Sequence, residues 1–189
     1  MNVNDQVNAA LLLMDFQNGV VERLGTPQTL AAAADALAAA RAAGVPVIHV
    51  RVGFRPGYPE VSPANQSFSA IATSGADLSE GGPATQVHAD LAPADGETVV
   101  VKRRVSAFTG SDLEVVLRAQ GVRTLVLGGI ATSGVVLSTL REAADRDYRL
   151  VVLADACADA DPEVHRVLTE KVFPRQAEVT TVARWTAAS

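Results

Sequence analysis

Residues 9–16 read AALLLMDF, a run that is apolar at every position except Asp15. Five further runs rich in valine and leucine follow along the chain, at residues 45–52, 98–101, 124–127, 150–154 and 179–182. Short, continuously apolar runs are typical of parallel strands that are covered on both faces. The sequence therefore predicts six strands, most of them buried in one parallel sheet.

Helical patterns alternate with these runs, at residues 27–43, 111–119, 133–145 and 161–173. In the first, Thr26 and Pro27 suit an N-cap and a first helical position, and Gly44 suits the stop. The alternation predicts a Rossmann-like, three-layer α/β/α sandwich with a doubly wound, mostly parallel six-stranded sheet, in one domain over residues 1–189. Only residues 53–97 break the alternation, and we expect a short helix at 68–72 within them.

The composition excludes several classes of protein. The chain has 189 residues, 48% of them hydrophobic, and 16 Lys+Arg against 21 Asp+Glu, a net charge of −5. There is no basic tract for nucleic acid, no Cys/His zinc spacing and no apolar run near the roughly 20 residues of a membrane span. Residues 1–10 lack the basic region that opens a signal peptide. We therefore expect a cytoplasmic protein with a small-molecule partner, and with neither nucleic acid nor membrane as a partner.

Two opposite charges fall at strand ends, where α/β sheets bind their ligands. Asp15 ends the first apolar run, and an acidic group there is costly to bury unless it is paired. Lys102 ends the third run, at the same predicted edge of the sheet. In such a pair the lysine holds the carboxylate and shifts its pKa, and the carboxylate transfers a proton. The alternatives are that Asp15 caps a turn or helix and that Lys102 is a solvated strand end.

The fourth strand runs into a glycine-rich loop, GGIATSGVV at residues 128–136, before the next helix. Glycines at such a turn let backbone N–H groups approach a ligand and form an oxyanion hole. The spacing is not G-x-G-x-x-G, and no P-loop lysine follows, so we predict no nucleotide cofactor and no other cofactor.

Four segments, in this order, resemble the isochorismatase-like hydrolase superfamily, which includes nicotinamidases and other cysteine hydrolases. They are LLLMDFQN at 11–18, KRRVSAF at 102–108, TLVLGGIAT at 124–132, and DACA at 155–158 with His165 downstream. The resemblance covers nearly the whole chain and implies that Asp15 and Lys102 are catalytic. We predict a substrate-binding set of Gln17, Phe108, Ile130, Ala131, Thr132 and Gly134. The resemblance also implies a cis peptide between Ile130 and Ala131, which would aim the amides of Ala131 and Val135 into the pocket.

One position departs from the cysteine hydrolases of that superfamily. Their nucleophile lies six residues after the glycine equivalent to Gly129, and that position here is Val135, which cannot attack a carbonyl. The single cysteine, Cys157, lies in the DACA segment and is interpreted as a small buried hydrophobe. Thr132 and Ser133 have hydroxyls but no histidine base nearby in the sequence, so a replacement nucleophile is not favoured.

The superfamily offers a second route, in isochorismatases proper, which also lack the cysteine and cleave a vinyl ether. By resemblance, Asp15 would protonate the methylene carbon and water would attack the resulting oxocarbenium ion. A dry pocket would raise the pKa of Asp15 and the Lys102 ammonium would lower it, and the sequence leaves that competition open. Residues 131–133 read Ala-Thr-Ser instead of the Tyr-Ala-His of those enzymes, so isochorismate itself is not assigned.

The remaining expectations concern metal, packing and assembly. Residues 49–54 lack the Asp-x-His of metal-binding nicotinamidases, and we interpret His49 as a core histidine, so no metal is predicted. His165 is interpreted as a packing or capping residue. Trp185 is expected on the surface or against a partner subunit, since the resemblance implies a homo-oligomer, a dimer or tetramer.

Two function classes follow from this sequence. In the first, the protein is a small-molecule hydrolase that uses Asp15 and Lys102 without a covalent intermediate. In the second, it is a catalytically silent relative that binds a metabolite or serves as an oligomeric scaffold. The hydrolase requires the two charges to meet beside Val135, and a separation beyond about 6 Å would count against it.

Overall fold

The computed structural model describes residues 8–73, 75 and 77–187. The expectation that residues 1–10 are not a signal peptide falls largely outside these residues. The strands are β1 (Ala9–Met14), β2 (Val47–Val52), β3 (Thr98–Lys102), β4 (Thr124–Ile130), β5 (Arg149–Ala158) and β6 (Glu178–Thr180). They form one sheet in the order β3-β2-β1-β4-β5-β6, and each neighbouring pair is parallel. The predicted α/β fold is confirmed, with a sheet that is fully parallel.

The helices are α1 (Asn18–Leu24), α2 (Pro27–Ala42), α3 (Gln66–Thr73), α4 (Leu113–Ala119), α5 (Leu137–Asp145), α6 (Pro162–Val167) and α7 (Val182–Ala187). A π-helical turn, Thr132–Val136, precedes α5, and a second one, Leu168–Val172, follows α6. Short 3-10 turns occur at Pro83–Thr85 and Ala89–Leu91, within the stretch that breaks the alternation. None of the helices in the described part of the chain has the length and apolar character needed to cross a membrane.

The sheet separates two apolar cores, as the alternation of side chains along a strand requires. Along β1, Leu12 and Met14 pack into the core shared with α4 and α5, and Leu11 and Leu13 pack into the core shared with α2 and α7. Trp185 of α7 is 4% exposed and lies in the second core. The expectation that Trp185 packs on the surface or on a partner is therefore wrong, because α7 folds back against α2 and β5.

The strand order places a crevice between β1 and β4. The chain runs outward from β1 through β2 to β3 and then crosses back to β4 on the other side of β1. Parallel α/β sheets bind ligands at the carboxyl ends of the strands at such a switch point. Here Gly129 of β4 faces Met14, and a Cβ on Gly129 would come within 2.8 Å of the Met14 carbonyl oxygen. Only glycine lets the two strands approach this closely beside the crevice.

A polar cluster ties α2 to β2 on the other side of β1. The Glu97 carboxylate accepts hydrogen bonds from the Arg41 guanidinium at 2.7 and 2.8 Å, from the Ala94 amide at 2.9 Å, and contacts His49 Nε2 at 2.9 Å. These donors, the Arg41 hydrogen bond first, hold the pKa of Glu97 at about 2. Burial lowers the pKa of His49, against the effect of Glu97. The interpretation of His49 as a core histidine agrees with this contact and with its 1% exposure.

Replacing Glu97 by Gln is expected to lower the free energy of unfolding by about 1–2 kcal/mol at neutral pH, because charge-assisted hydrogen bonds are lost. The pKa of Glu97 is depressed in the folded state, so its contribution is complete above the ordinary value of 4.5 and disappears as the pH falls to about 2. Urea unfolding at pH 7 and pH 3 measures this. The gap between wild type and variant should narrow at pH 3, whereas the exposed control Glu178→Gln should show little change at either pH. A gap that is equal at both pH values would contradict the role of the Glu97 charge.

Candidate active site

Asp15 and Lys102 meet at the carboxyl edge of the sheet. Asp15 directly follows β1 and has φ 57°, a left-handed conformation that aspartate tolerates better than most residues. Its N–H donates to the Val50 carbonyl oxygen at 2.7 Å, so the turn is fixed to β2. Lys102 is the last residue of β3, and its Nζ lies 2.9 Å from Asp15 Oδ2. The expected separation of the two charges is confirmed across the intervening strand β2.

The pair is withdrawn from water, and its two carboxylate oxygens are not equivalent. The Asp15 and Lys102 side chains are 9% and 3% exposed. Lys102 Nζ also donates to the Arg104 carbonyl oxygen at 3.1 Å, which fixes the ammonium. Asp15 Oδ2 contacts the Lys102 ammonium, whereas the buried Oδ1 has no hydrogen-bond partner among the described residues. Oδ1 is therefore the oxygen that is available to carry a proton.

Burial has the largest effect on the pKa of Asp15. Loss of hydration raises the pKa of this carboxyl, the charge and hydrogen bond of Lys102 lower it, and the net direction is upward. The competition that the sequence leaves open is thus resolved in favour of burial. A carboxyl with a raised pKa can remain protonated closer to neutral pH and act as a general acid.

Gln17 lies at the same edge, but its amide is already engaged. Gln17 is fully buried; its Nε2 donates to the Val52 carbonyl oxygen at 3.2 Å, and its Oε1 accepts from the Val52 N–H at 2.9 Å. Val52 pairs in register with Lys102. This clamp holds the segment after β1 against the end of β2, which favours a positioning role. A direct contact between Gln17 and substrate stays a prediction.

The glycine-rich loop follows β4 on the other side of Asp15. The peptide between Ile130 and Ala131 is cis, as expected. The Ala131 carbonyl oxygen accepts from the N–H groups of Gly134 at 3.1 Å and Val136 at 3.3 Å, so the loop closes directly into the π-helical turn. Val135 is 2% exposed and belongs to the same core as Met14, the residue before Asp15. The sequence position predicted for a nucleophile is therefore an apolar side chain buried in the core that also contains Met14.

Sequence reasoning missed the histidine that contacts this loop. Thr132 Oγ1 lies 2.8 Å from His165 Nδ1 of α6, and the Ser133 N–H donates to Asp159 Oδ2 at 2.7 Å. Burial lowers the pKa of His165, opposed by Asp159, which favours the neutral ring. Thr132 is fully buried, so we interpret both contacts as anchors of the loop. Thr132 and His165 are 33 positions apart in the chain, so no local sequence pattern indicates that they are in contact.

Phe108 belongs to the core. It is 5% exposed, its ring centroid lies 6.1 Å from that of Tyr148, and the Arg146 guanidinium lies 4.8 Å above it. Arg146 and Tyr148 stand at the amino ends of the strands, away from Asp15. These contacts do not favour the predicted substrate-wall role of Phe108, and the reason is that the residue packs under α5. Of the other predicted substrate-binding positions, Ile130 ends β4, Ala131 follows it, and Thr132 and Gly134 lie in the π-helical turn.

The single cysteine lies inside the sheet. Cys157 of β5 pairs in register with Gly129 and is 4% exposed. Burial raises the pKa of its thiol to about 12, and the nearby Asp155 acts in the same direction. A thiol with so high a pKa has almost no thiolate at neutral pH, and the thiolate is the nucleophile.

We expect Cys157 to be inert in the folded protein. Ellman's reagent should modify it only after unfolding in guanidinium chloride, because native Cys157 is both buried and protonated. Cys157→Ala should retain the wild-type rate on any substrate of the protein. Rapid labelling of the native protein, together with loss of turnover in Cys157→Ala, would instead identify a reactive thiol.

Metal ligands do not cluster at this site. Across residues 8–73, 75 and 77–187, no group of three or more His, Cys, Asp or Glu side chains is placed to hold a metal ion. The cation in contact with Asp15 is the Lys102 ammonium. The sequence-based expectation of no catalytic metal stays a prediction.

The fold and the site together are those of a parallel α/β protein with a buried acid–lysine pair beside a glycine-rich loop, at the switch point of its sheet. Residues 9–184 match the isochorismatase domain, and the chain belongs to the isochorismatase family of hydrolases. It is 39% identical over 176 residues to the ureidoacrylate amidohydrolase RutB of Pseudomonas syringae pv. syringae, covering 82% of this chain and 72% of that protein. It is 37% identical over 177 residues to the uncharacterized isochorismatase family protein YecD of Escherichia coli O157:H7, covering 92% of each.

Solved structures share the whole architecture. An isochorismatase family protein from Burkholderia thailandensis superposes with a TM-score of 0.84 at 31% identity, over 96% of this chain and 95% of that one. A cysteine hydrolase from Pseudomonas syringae pv. phaseolicola gives a TM-score of 0.88 at 26% identity, over 100% and 93%. N-carbamoylsarcosine amidase from Thermoplasma acidophilum gives 0.75 at 27% identity, over 93% and 97%.

Proposed function

We propose that this chain is a small-molecule hydrolase in which Asp15 and Lys102 carry the proton transfer and no cysteine nucleophile takes part. The observation that carries the proposal is the buried ion pair, with Lys102 Nζ 2.9 Å from Asp15 Oδ2 and Asp15 Oδ1 left without a partner. Burying a carboxylate and an ammonium together costs free energy that apolar packing would avoid. Retention of such a pair at the ligand-binding edge of the sheet supports a chemical role.

Two features support a reaction without a thioester. Val135 lies within the glycine-rich loop, at the position where the sequence resemblance places a nucleophile. Its side chain has no nucleophilic atom. Cys157 lies within β5, with a pKa of about 12. Water is then the attacking group, and the enzyme's contribution is to protonate the substrate and to position it.

On a vinyl ether, the protonated Asp15 donates the proton on Oδ1 to the terminal methylene carbon, and the C=C π electrons form the new C–H bond. The adjacent carbon becomes an oxocarbenium ion, which water attacks with loss of a proton to Asp15. The hemiketal then collapses to a ketone and an alcohol, so one water is consumed and Asp15 is regenerated. Lys102 holds Asp15 in place and stabilises the carboxylate that forms when the proton leaves.

A carbamoyl or ureido compound is the other substrate class to test, since two of the proteins similar to this chain are named for ureidoacrylate and N-carbamoylsarcosine. Water would attack the carbonyl carbon directly, and Asp15 would protonate the departing nitrogen. The C–N bond breaks, and the proton that water loses returns to the Asp15 carboxylate.

The test is a hydrolysis screen of vinyl ethers, carbamoyl compounds and simple amides with the wild-type protein, Asp15→Asn and Cys157→Ala. For a substrate that turns over, a single-turnover reaction quenched in acid is analysed by intact mass spectrometry. We expect turnover that depends on Asp15 and not on Cys157, with no mass adduct on the protein. A trapped acyl adduct, or equal rates for wild type and Asp15→Asn, would overturn the mechanism.

A non-catalytic binding protein is the second candidate. The observation that favours it is that Val135, at the position that the resemblance gives to a nucleophile, is apolar and 2% exposed. If no compound turns over but a small acid raises the melting temperature of the wild type, this candidate is preferred, because a ligand that binds only the folded state stabilises it.

A further inference from the structure

A cavity lies at the amino edge of the sheet, opposite the carboxyl edge that carries Asp15. It has a volume of about 480 Å³, and the side chains that give it its character are Arg118, Arg123, Arg146, Arg149, Asp147 and Tyr148. Four arginines thus face one cavity in a chain that has 16 Lys+Arg in total and a net charge of −5. Among the described residues that line it, Asp147 carries the one carboxylate. The described lining therefore contains more basic than acidic side chains, on a protein that is acidic as a whole.

Two of the arginines are fixed side by side at the start of neighbouring strands. Arg123 directly precedes β4, and Arg149 is the first residue of β5. The Arg149 N–H donates to the Arg123 carbonyl oxygen at 2.9 Å, and the Arg123 N–H donates to the Asn8 carbonyl oxygen at 2.8 Å. The amino edge of the sheet thus sets the spacing of the two side chains.

The other two arginines come from helix ends. Arg118 lies in the last turn of α4 and Arg146 directly follows α5, where a positive charge complements the helix dipole. Glu114 binds Arg118 at 2.7 Å and Arg146 at 3.4 Å, and Glu142 binds Arg146 at 2.6 Å. The helix dipoles and the two glutamates therefore explain why positive charges stand at these positions. The salt bridges also hold both guanidinium groups in place.

The positive charge of Arg123 lies at neither a helix end nor a salt bridge with a described carboxylate. It stands outside the helices, its side chain is exposed, and it forms no salt bridge with any residue that the structure describes. The Arg118 guanidinium lies 5.1 Å from the ring centre of Tyr148, so these two side chains pack against each other in the wall of the cavity. An uncompensated guanidinium beside immobilised ones is an arrangement that recognises an oxyanion, because guanidinium groups bind phosphate and carboxylate through paired hydrogen bonds.

We propose that this cavity binds a small, multiply charged oxyanion, either a phosphate group or a polycarboxylate, at a site separate from Asp15 and Lys102. Its volume falls within the range of roughly 300–1,000 Å³ that small-molecule sites occupy. The ligand stabilises the amino edge of the sheet and the ends of α4 and α5 by bridging Arg123 to the arginines of the helix ends.

Isothermal titration calorimetry with sodium phosphate and with sodium citrate, at ionic strength held constant with sodium chloride, tests the proposal. The proteins are wild type, Arg123→Gln, Arg123→Lys and the control Arg184→Gln, which removes the same charge from an exposed position on α7. We expect one site in the wild type and in Arg184→Gln, and about tenfold weaker binding in Arg123→Gln, as the loss of a charged hydrogen bond predicts. Arg123→Lys should fall between them, because it keeps the charge and loses the paired geometry.

The two ligands distinguish the two kinds of oxyanion. Tighter binding of phosphate would identify a phosphate site, and tighter binding of citrate would identify a polycarboxylate site. Thermal unfolding of the same proteins shows whether each variant is folded before titration. Absence of binding to the wild type for both ligands at millimolar concentration would overturn the proposal. Equal affinities of Arg123→Gln and Arg184→Gln would also overturn it, since binding would then reflect overall charge.

Discussion

Asp15→Asn is expected to lower the turnover of any substrate of this protein by about two to four orders of magnitude, the usual contribution of a general acid. Asparagine keeps nearly the same shape and also tolerates the left-handed backbone at this position, so the loop geometry should survive. The amide, however, has no proton that it can release to substrate. The rate constants of wild type and variant on the substrate found by the screen provide the measurement.

The pH profile separates a lost acid from a distorted site. Burial raises the pKa of Asp15 above its ordinary value of 3.8, and the protonated form is the active one. The wild-type rate should therefore fall as the pH rises through that raised pKa, and the residual rate of Asp15→Asn should lack this limb. Asp35→Asn, a matched change at an exposed position on α2, should keep both the rate and the profile. A residual rate of Asp15→Asn that still falls along the wild-type limb would assign the titration to another group.

The strands at the centre of the sheet could be predicted because each one carries its own signal. β1 and β2 are buried along most of their length, and continuously apolar runs led to their positions within two residues at each end. The same reasoning placed Asp15 and Lys102 at one edge, since the carboxyl ends of parallel strands all meet there. The 2.9 Å contact between them then needs only the strand order.

Elements that depend on distant partners could not be predicted in this way. The start of α7 is held partly by Thr181, whose Oγ1 accepts the Arg184 N–H at 3.4 Å. It is also held by the Asp155 carboxylate of β5, which accepts the Val182 N–H at 2.9 and 3.1 Å from 27 residues away. Asp155 also ended the predicted strand at 150–154, whereas β5 runs on to Ala158. A polar residue fits there because the pairing with β4 shifts register between Leu127 and Gly129.

The contacts around the glycine-rich loop show the same limit. The sequence predicts the loop, but the partner of Thr132 is His165 of α6, which sequence alone interprets only as a packing or capping residue. For Phe108, the place after the lysine motif favours the catalytic edge, whereas the ring contacts Tyr148 near the amino ends of the strands, so a contact with substrate stays a prediction. The contacts of such residues depend on which helices and strands pack over them. Those elements come from distant parts of the chain, so a local sequence pattern does not reveal them.

Lys102→Met is expected to lower the free energy of unfolding by about 3–5 kcal/mol at neutral pH, because it leaves a buried carboxylate without its counter-charge. Methionine fills a similar volume, so the loss comes mainly from Asp15. Urea unfolding of wild type, Lys102→Met and the exposed control Lys171→Met provides the measurement. Lys171→Met should lie close to wild type.

The sign of the pH dependence distinguishes this cause from a packing defect. Without Lys102, burial raises the pKa of Asp15 in the folded state further, while the unfolded chain keeps the ordinary value near 3.8. The folded state then binds the extra proton between these two values, so the stability of Lys102→Met should fall as the pH rises through that interval and recover toward pH 3.8. The double variant Asp15→Asn/Lys102→Met has no buried charge at this site and should regain most of the lost stability at pH 7. If the double variant is as unstable as Lys102→Met, the cost arises from packing, and the two side chains are not coupled as a charge pair.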